Sequence, residues 1–355
     1  MKPTQHFFTT QLVNWHAHSN QRSLPWKSEK DPYKIWLSEI ILQQTRAEQA
    51  LPYYLRFIET YPTIADMAVA TDDEVFRLWQ GLGYYNRCLN MLATARHIQA
   101  NLGGAFPNQF DAILSLKGIG PYTAAAISSF AFGLPHAVVD GNVYRVLTRF
   151  FGIDTPCDTT EGKIQFTELA NELLDRRNPA EYNQAIMDFG ATVCTPRQPD
   201  CEHCPLNKKC IALQGEIINI LPVKIKKLTV KTRYFHYLLL KHNDSLFIRK
   251  RTDNDIWANL HEPIMIESDH PIELEDLLAE DAFVSRGIDY SAVTYEGETS
   301  QRLTHQIIKA RFFRFELTKR PKIIAGSGIW MDRAELKKTA FPKTLVSFLE
   351  NNLYF

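Results

Sequence analysis

The stretch Leu116-Lys117-Gly118-Ile119-Gly120-Pro121 constrains this chain more than any other. Two glycines and a proline separate two apolar runs. Glycine supplies the left-handed backbone of a tight turn, and proline suits the first turn of the helix that follows, so the stretch predicts a hairpin between two helices. The second helix, Tyr122 to about Phe130, starts with unpaired backbone N–H groups, a place that favours a phosphate oxygen. A plain helix connection with no ligand fits the same residues. Further on, Asp140 precedes another helical run, Val143-Tyr144-Arg145-Val146-Leu147, and reads as its N-cap. A carboxylate beside a helix N-terminus stays ionised, as a group that stabilises a cation must.

Helical spacing extends through the first part of the chain. Asp31-Pro32 reads as a cap and a first-turn proline, and residues 31–60 as one helix. Glu39 lies within it, with Ile35, Trp36, Leu42 and Gln43 as its helical neighbours. A carboxyl in such mostly apolar company holds a proton at neutral pH, although a surface glutamate fits the same spacing. The polar cluster Gln43-Gln44-Thr45 follows, and Tyr84 and Tyr85 flank a glycine turn where they would suit stacking on nucleic acid. Nothing before about residue 215 alternates with the period of a strand, which predicts an all-α domain over residues 1–215. Residues 216–232 read as a linker, basic through Lys224, Lys226, Lys227 and Lys231. Tyr234–Leu240, a turn at His242-Asn243-Asp244, and Ser245–Lys250 then read as a β-hairpin. Mixed patterns from there to the end predict an α+β domain over residues 233–355.

A chain of 355 residues is long enough for two cores. Its charge balances in both parts, 23 Lys+Arg against 22 Asp+Glu over residues 1–232 and 17 against 18 over 233–355, so a polyanion must be held by local patches. No apolar run has the length of a signal peptide or a bilayer span, which predicts a cytoplasmic protein without a membrane partner. Four of the six cysteines form the pattern Cys194-x6-Cys201-x2-Cys204-x5-Cys210. In that compartment the clustering reads as a metal site rather than as disulfides. Four thiolates suit zinc or an iron–sulfur cluster, and spacing alone does not choose between them. Cys88 and Cys157 stand apart and read as small buried filler.

The cysteine pattern, directly after an all-α region with a Gly-x-Gly hairpin and a downstream aspartate, resembles the endonuclease III superfamily of DNA glycosylases, and within it the MutY-type adenine DNA glycosylases. The resemblance covers nearly the whole chain and is strongest from about residue 20 to 212. It implies a helix-hairpin-helix glycosylase domain with one 4Fe-4S cluster on Cys194, Cys201, Cys204 and Cys210, followed by a Nudix-like lesion-recognition domain. The implied partner is double-stranded DNA carrying adenine opposite 8-oxoguanine or guanine, met by a monomer associated with the nucleoid. The repair proteins it would meet are not indicated.

Residue by residue, Glu39 in LSEIILQQT matches the catalytic general acid and Asp140 in VDGNVYRVL the second carboxylate, with Tyr122 and Asn142 in the same catalytic set. Leu116, Gly118 and Gly120 match the loop that grips a DNA phosphate. Gln44, with Thr45 beside it, and Tyr84 match residues that wedge into the duplex, while Arg22, Trp26 and Gln184 match the adenine-pocket region. Bifunctional relatives carry a lysine after Gly-Ile-Gly-Pro. This chain has Tyr122, whose phenol forms no imine, so little or no strand cleavage is expected. In the lesion-reading loop Leu303-Thr304-His305 stands where the family has Phe-Ser-His, keeping the hydroxyl and the imidazole and losing the aromatic. Arg302 to Arg314 holds four cationic residues and no acid, as a phosphate-facing surface requires. The Nudix pyrophosphatase signature is absent, and no phosphohydrolase activity is expected.

The residues themselves agree with that chemistry. Releasing adenine requires a proton for the leaving base and a negative charge near the sugar, a two-carboxylate problem in which environment sets the two pKa values apart. The base must also leave the helix stack before it can be attacked. Two other readings use the same motifs: a related glycosylase acting on another base, such as mismatched thymine, and a non-catalytic DNA-binding iron–sulfur protein.

Overall fold

A computed structural model describes the chain apart from residues 1, 226–228, 253–254, 281–287, 322–327, 353 and 355. Lys226 and Lys227 of the basic linker thus lie outside the described residues. Helices run in the order α1 (Pro3–Ser19), α2 (Pro32–Leu42), α3 (Ala47–Thr60), α4 (Ile64–Val69), α5 (Asp72–Trp79), α6 (Tyr85–Asn101), α7 (Phe110–Leu114), α8 (Pro121–Phe132), α9 (Gly141–Phe151), α10 (Thr160–Leu173), α11 (Pro179–Thr192) and α12 (Ile211–Gln214). Seven strands follow: β1 (Lys231–His242), β2 (Ser245–Lys250), β3 (His261–Glu262), β4 (Ile264–Ser268), β5 (Tyr290–Arg302), β6 (Gln306–Leu317) and β7 (Gly328–Met331). α13 (Leu274–Glu280) lies between β4 and β5, and α14 (Arg333–Lys338) and α15 (Lys343–Asn351) follow β7.

The chain divides into two compact units, residues 1–69 with 90–227 and residues 70–89 with 228–355. The boundary near 227 falls inside the stretch read as a linker. The grouping of 70–89 with the later residues was not legible in the sequence.

In the first unit α9 shows why these residues make these helices. Val143, Val146, Leu147 and Phe150 recur at helical spacing and are all buried, each contributing about 1.5–3 kcal/mol on leaving water. Asp140 caps the start of α9, and Gly152 ends it with a left-handed backbone (φ 65°). The same core takes Phe8 and Leu12 from α1, Ala125 and Ala126 from α8, and Tyr182, Ile186 and Phe189 from α11. α8 begins at Gly120-Pro121, as the sequence predicts, and packs on α2 and α7.

The single helix expected over 31–60 is two. Gln44, with φ 57°, takes a left-handed backbone that no right-handed helix can include, and α2 stops at Leu42 before α3 restarts at Ala47.

The second unit is a mixed sheet in the order β3-β2-β1-β6-β5, with β4 also paired to β1 and β7 to β2. β1 and β2 form the expected hairpin with His242 opposite Ser245, and Asn243 adopts the left-handed backbone (φ 52°) that a two-residue turn requires. β1 and β6 pair in parallel from Lys231 opposite Gln306 to Lys241 opposite Glu316. Leu238, Leu240, Phe247, Phe313 and Phe315 form the core of this unit.

Candidate active site

A cavity of about 340 Å³ in the first unit is lined by Glu39, Tyr122, Asp140 and Asn142 together with Arg22, Trp26, Thr45 and Gln184. These residues, singled out separately along the sequence, meet because four helix segments converge there. α2 delivers Glu39, the first turn of α8 delivers Tyr122, the start of α9 delivers Asp140 and Asn142, and α11 delivers Gln184.

Glu39 is only 6% exposed. Burial pushes its pKa up to about 7, the neighbouring Tyr122 hydroxyl opposes that rise, and the nearby Asp140 charge adds to it. The Tyr122 hydroxyl also reaches Met187 Sδ at 3.5 Å. Asp140 has a different surround. Its Oδ1 accepts from the backbone N–H groups of Asn142 and Val143, both at 2.8 Å, and its Oδ2 accepts from Asn142 Nδ2 at 2.8 Å. Burial dominates and leaves the Asp140 pKa raised above the ordinary aspartate value, although these hydrogen bonds and the Arg145 charge oppose the rise. Three donors aimed at one carboxylate favour its anion. The cavity therefore pairs a carboxyl that keeps its proton near neutrality with one built to carry charge.

Arg145 stands behind this pair, donating to Asn142 Oδ1 at 2.8 Å and to the Cys194 carbonyl at 2.7 Å. One turn further along α9, Arg149 donates to the carbonyls of Thr195 (2.7 Å), Pro196 (3.0 Å) and Leu221 (3.1 Å). The cysteine loop is thus tied to α9 by two buried guanidinium groups. Cys194, Cys201, Cys204 and Cys210 line one small cavity with Val193, Pro199, Leu213 and Ile218, and none is in a disulfide. Among the described residues no three His, Cys, Asp or Glu groups are set closely enough to hold a single metal ion. Four thiols around one shared, largely apolar cavity fit a polynuclear sulfur-ligated group better than one tetrahedral ion, whose four sulfurs must crowd about 2.3 Å from a point.

The hairpin residues singled out in the sequence differ in their access to solvent. Gly118 has φ 79° and, with Lys117, faces solvent, but the Leu116 side chain is buried, which leaves only its main chain for a ligand. Thr94 Oγ1 donates to the Lys117 carbonyl at 2.8 Å and braces the turn. Gln44 does not line the cavity. It sits in the break after α2 with its left-handed backbone, a conformation that costs energy and clusters at ligand-contacting positions.

In the second unit Tyr84 shares that backbone conformation (φ 48°), and its hydroxyl hydrogen-bonds the Thr304 hydroxyl. Both, with His305 and Trp257, line a cavity of about 530 Å³. The cationic run from Arg302 to Arg314 is not one surface. Lys309 and Arg302 are exposed, but Arg311 turns inward to the Ile272 carbonyl and Glu273, and Arg314 pairs with Glu296 and Glu316. Lys309 and Arg311 lie two residues apart on one face of β6, so the difference comes from local partners: the Ile272 carbonyl and Glu273 hold Arg311 in.

Two polar residues near the first cavity were missed in the sequence, Lys27 and Asp188. Lys27 Nζ lies 2.5 Å from Asp188 Oδ2, and Arg22 Nη1 lies 2.8 Å from Asp188 Oδ1. The four-residue spacing of Gln184 and Asp188 on α11 was the signal available for the second.

A hairpin-bearing helical unit with two buried carboxyls in one cavity, joined to a mixed-sheet unit, defines a helix-hairpin-helix DNA glycosylase of base excision repair, an enzyme that hydrolyses N-glycosyl bonds. Residues 37–172 match the HhH-GPD superfamily base excision DNA repair protein family, and residues 236–351 match the NUDIX domain. The adenine DNA glycosylase of Buchnera aphidicola subsp. Acyrthosiphon pisum is 35% identical over 72% of this chain and 73% of its own length. That of Buchnera aphidicola subsp. Schizaphis graminum is 37% identical over 72% and 74%. Among solved structures, a thermostable thymine-DNA glycosylase superposes with a TM-score of 0.56 at 31% identity, covering 60% of this chain and 97% of its own. The chain belongs to the adenine DNA glycosylase family.

Proposed function

We propose that this chain removes adenine mispaired with 8-oxoguanine or guanine in duplex DNA and leaves an abasic site without cutting the strand. The observation that carries the proposal is the pairing of Glu39, raised to about 7, with the triply hydrogen-bonded Asp140 in one cavity that also holds Tyr122. Glu39 gives its proton to the leaving base, so that adenine departs neutral. Asp140 stays charged and stabilises the positive charge that grows on the sugar. Water then adds at the sugar carbon, and its proton returns to a carboxylate. Tyr122 offers a phenol where an amine would be needed for an imine, which leaves no route to β-elimination.

DNA is held by the hairpin main chain around Gly118 and Gly120. Gln44 and Tyr84 enter the duplex, with Thr45 beside them, and Arg22, Trp26 and Gln184 wall the extruded base. Thr304 and His305 of the second unit read the base opposite. Cys194, Cys201, Cys204 and Cys210 hold a 4Fe-4S cluster, which supplies structural cross-linking of the loop that Arg145 and Arg149 tie to α9. The protein acts as a monomer in the cytoplasm.

The thymine-specific relative favours a second reading, release of mismatched thymine. Its likeness covers 60% of this chain, whereas the two Buchnera adenine enzymes cover 72%. Single-turnover base release decides between them. Duplexes with adenine opposite 8-oxoguanine or guanine, and thymine opposite guanine, are cut in alkali and compared with untreated lanes. Release of adenine, fastest opposite 8-oxoguanine and visible only after alkali, is expected. Release of thymine, or nicking without alkali, overturns the reading.

A further inference from the structure

We infer that Asp188 determines which base the cavity accepts, by fixing the Gln184 carboxamide with its oxygen left for the base. The inference rests on the cavity being the adenine pocket. Asp188 lies on α11 with 0% exposure. Its Oδ2 accepts from Asn20 Nδ2 at 2.8 Å and Lys27 Nζ at 2.5 Å, and its Oδ1 accepts from Arg22 Nη1 at 2.8 Å and Gln184 Nε2 at 3.2 Å. Two cations balance one carboxylate, and no lone pair of Asp188 is left to face a base.

A carboxylate only accepts hydrogen bonds. The group of Gln184 that meets it must therefore be the amide nitrogen, because the opposite flip would set oxygen against oxygen. Four-residue spacing on α11 keeps the two side chains on one face. Gln184 lines the cavity beside Glu39 and Asp140, and among the described residues its Oε1 takes no hydrogen bond. A fixed acceptor at that wall suits a base edge that presents an N–H donor, as the exocyclic amine of adenine does. A 6-oxopurine presents a carbonyl instead, so two acceptors face each other and Oε1 stays unpaired. That mismatch is worth about ten- to a hundredfold in rate.

An asparagine at 188 can meet Gln184 with either its oxygen or its nitrogen, and so releases the flip. The test compares single-turnover release of adenine and of hypoxanthine, each opposite 8-oxoguanine, by the full chain, Asp188→Asn, Gln184→Leu and the double variant. The wild-type chain is expected to favour adenine. Asp188→Asn should lower the adenine-to-hypoxanthine ratio about ten- to a hundredfold, and in the Gln184→Leu background it should lower the ratio no further. If Asp188→Asn slows both bases equally and leaves the ratio intact, Asp188 merely supports the fold and the inference is overturned. Should that variant not fold, the side-chain amide of Gln184 in the wild-type chain decides by selective ¹⁵N labelling. Slow amide-proton exchange is expected, and a freely rotating carboxamide overturns the inference. A wild-type chain indifferent to the two bases instead overturns the reading of the cavity, and the role of Asp188 falls with it.

Discussion

Tyr122 lines the same cavity as Glu39, and its hydroxyl favours the charged carboxylate against the burial that pushes the Glu39 pKa up to about 7. Removing the hydroxyl removes the opposing interaction. Tyr122→Phe should therefore raise the Glu39 pKa further and move the alkaline limb of the single-turnover rate profile to higher pH. An unmoved or lowered limb would show that Glu39 is not the proton donor.

Glu39 also makes stability depend on pH. Its folded pKa lies above the ordinary glutamate value of 4.5, so the folded state holds a proton that the unfolded state gives up. Stability relative to Glu39→Gln is then fullest below about pH 4.5 and declines as pH rises through about 7, by about 3 kcal/mol in all. Denaturant unfolding of both proteins at pH 5 and pH 8 measures it. Glu39→Gln should be the more stable at pH 8 while releasing base about a hundred- to ten-thousandfold more slowly.

Asp140 caps α9 and, under the proposed function, also carries the negative charge beside the sugar, and one substitution separates the two. Asparagine caps helices as well as aspartate does, so Asp140→Asn should leave the unfolding free energy within about 1 kcal/mol of wild type. It removes the negative charge, and base release should fall by about a thousandfold or more while duplex affinity persists. Comparable loss of rate and of thermal stability would assign Asp140 to the fold alone.

Gly118 has φ 79°, and an added Cβ would come within 2.6 Å of Asn90 Cβ. Gly118→Ala should cost about 1–3 kcal/mol of stability and distort the hairpin amides. Affinity for undamaged duplex, measured across salt concentrations, should drop while the pH profile set by Glu39 stays in place. Unchanged affinity would move the phosphate contact elsewhere.

The cysteine loop makes a chemical prediction. Protein purified without air should be brown and contain about four iron atoms per chain. Cys204→Ala should bleach it and loosen the loop around Arg149, seen as faster proteolysis between residues 194 and 222. Stoichiometric zinc in a colourless protein would overturn the cluster assignment.

Much of this was legible before the fold was known. The capping aspartate at 140, the Gly118 turn, the Asn243 hairpin and the apolar company of Glu39 are all local, set by residues within a turn or two of each other. Periodicity reports such faces faithfully. The break at Gln44 was not legible, because the apolar spacing carries on through it while one backbone dihedral changes hand. The inward turn of Arg311 depends on the Ile272 carbonyl and Glu273, 39 and 38 residues away in sequence. Asp188 was passed over for a similar reason, since Arg22 and Lys27 reach it from more than a hundred and fifty residues away.

Residues 70–89 group with residues 228–355 rather than with the segments that flank them. During synthesis, that short segment leaves the ribosome while most of the glycosylase helices are still to come, and the β-strands of its own unit emerge last. The later unit therefore cannot close until the strands from Lys231 onward have been made. A chain cut short after the cysteine loop would leave residues 70–89 without the strands they group with.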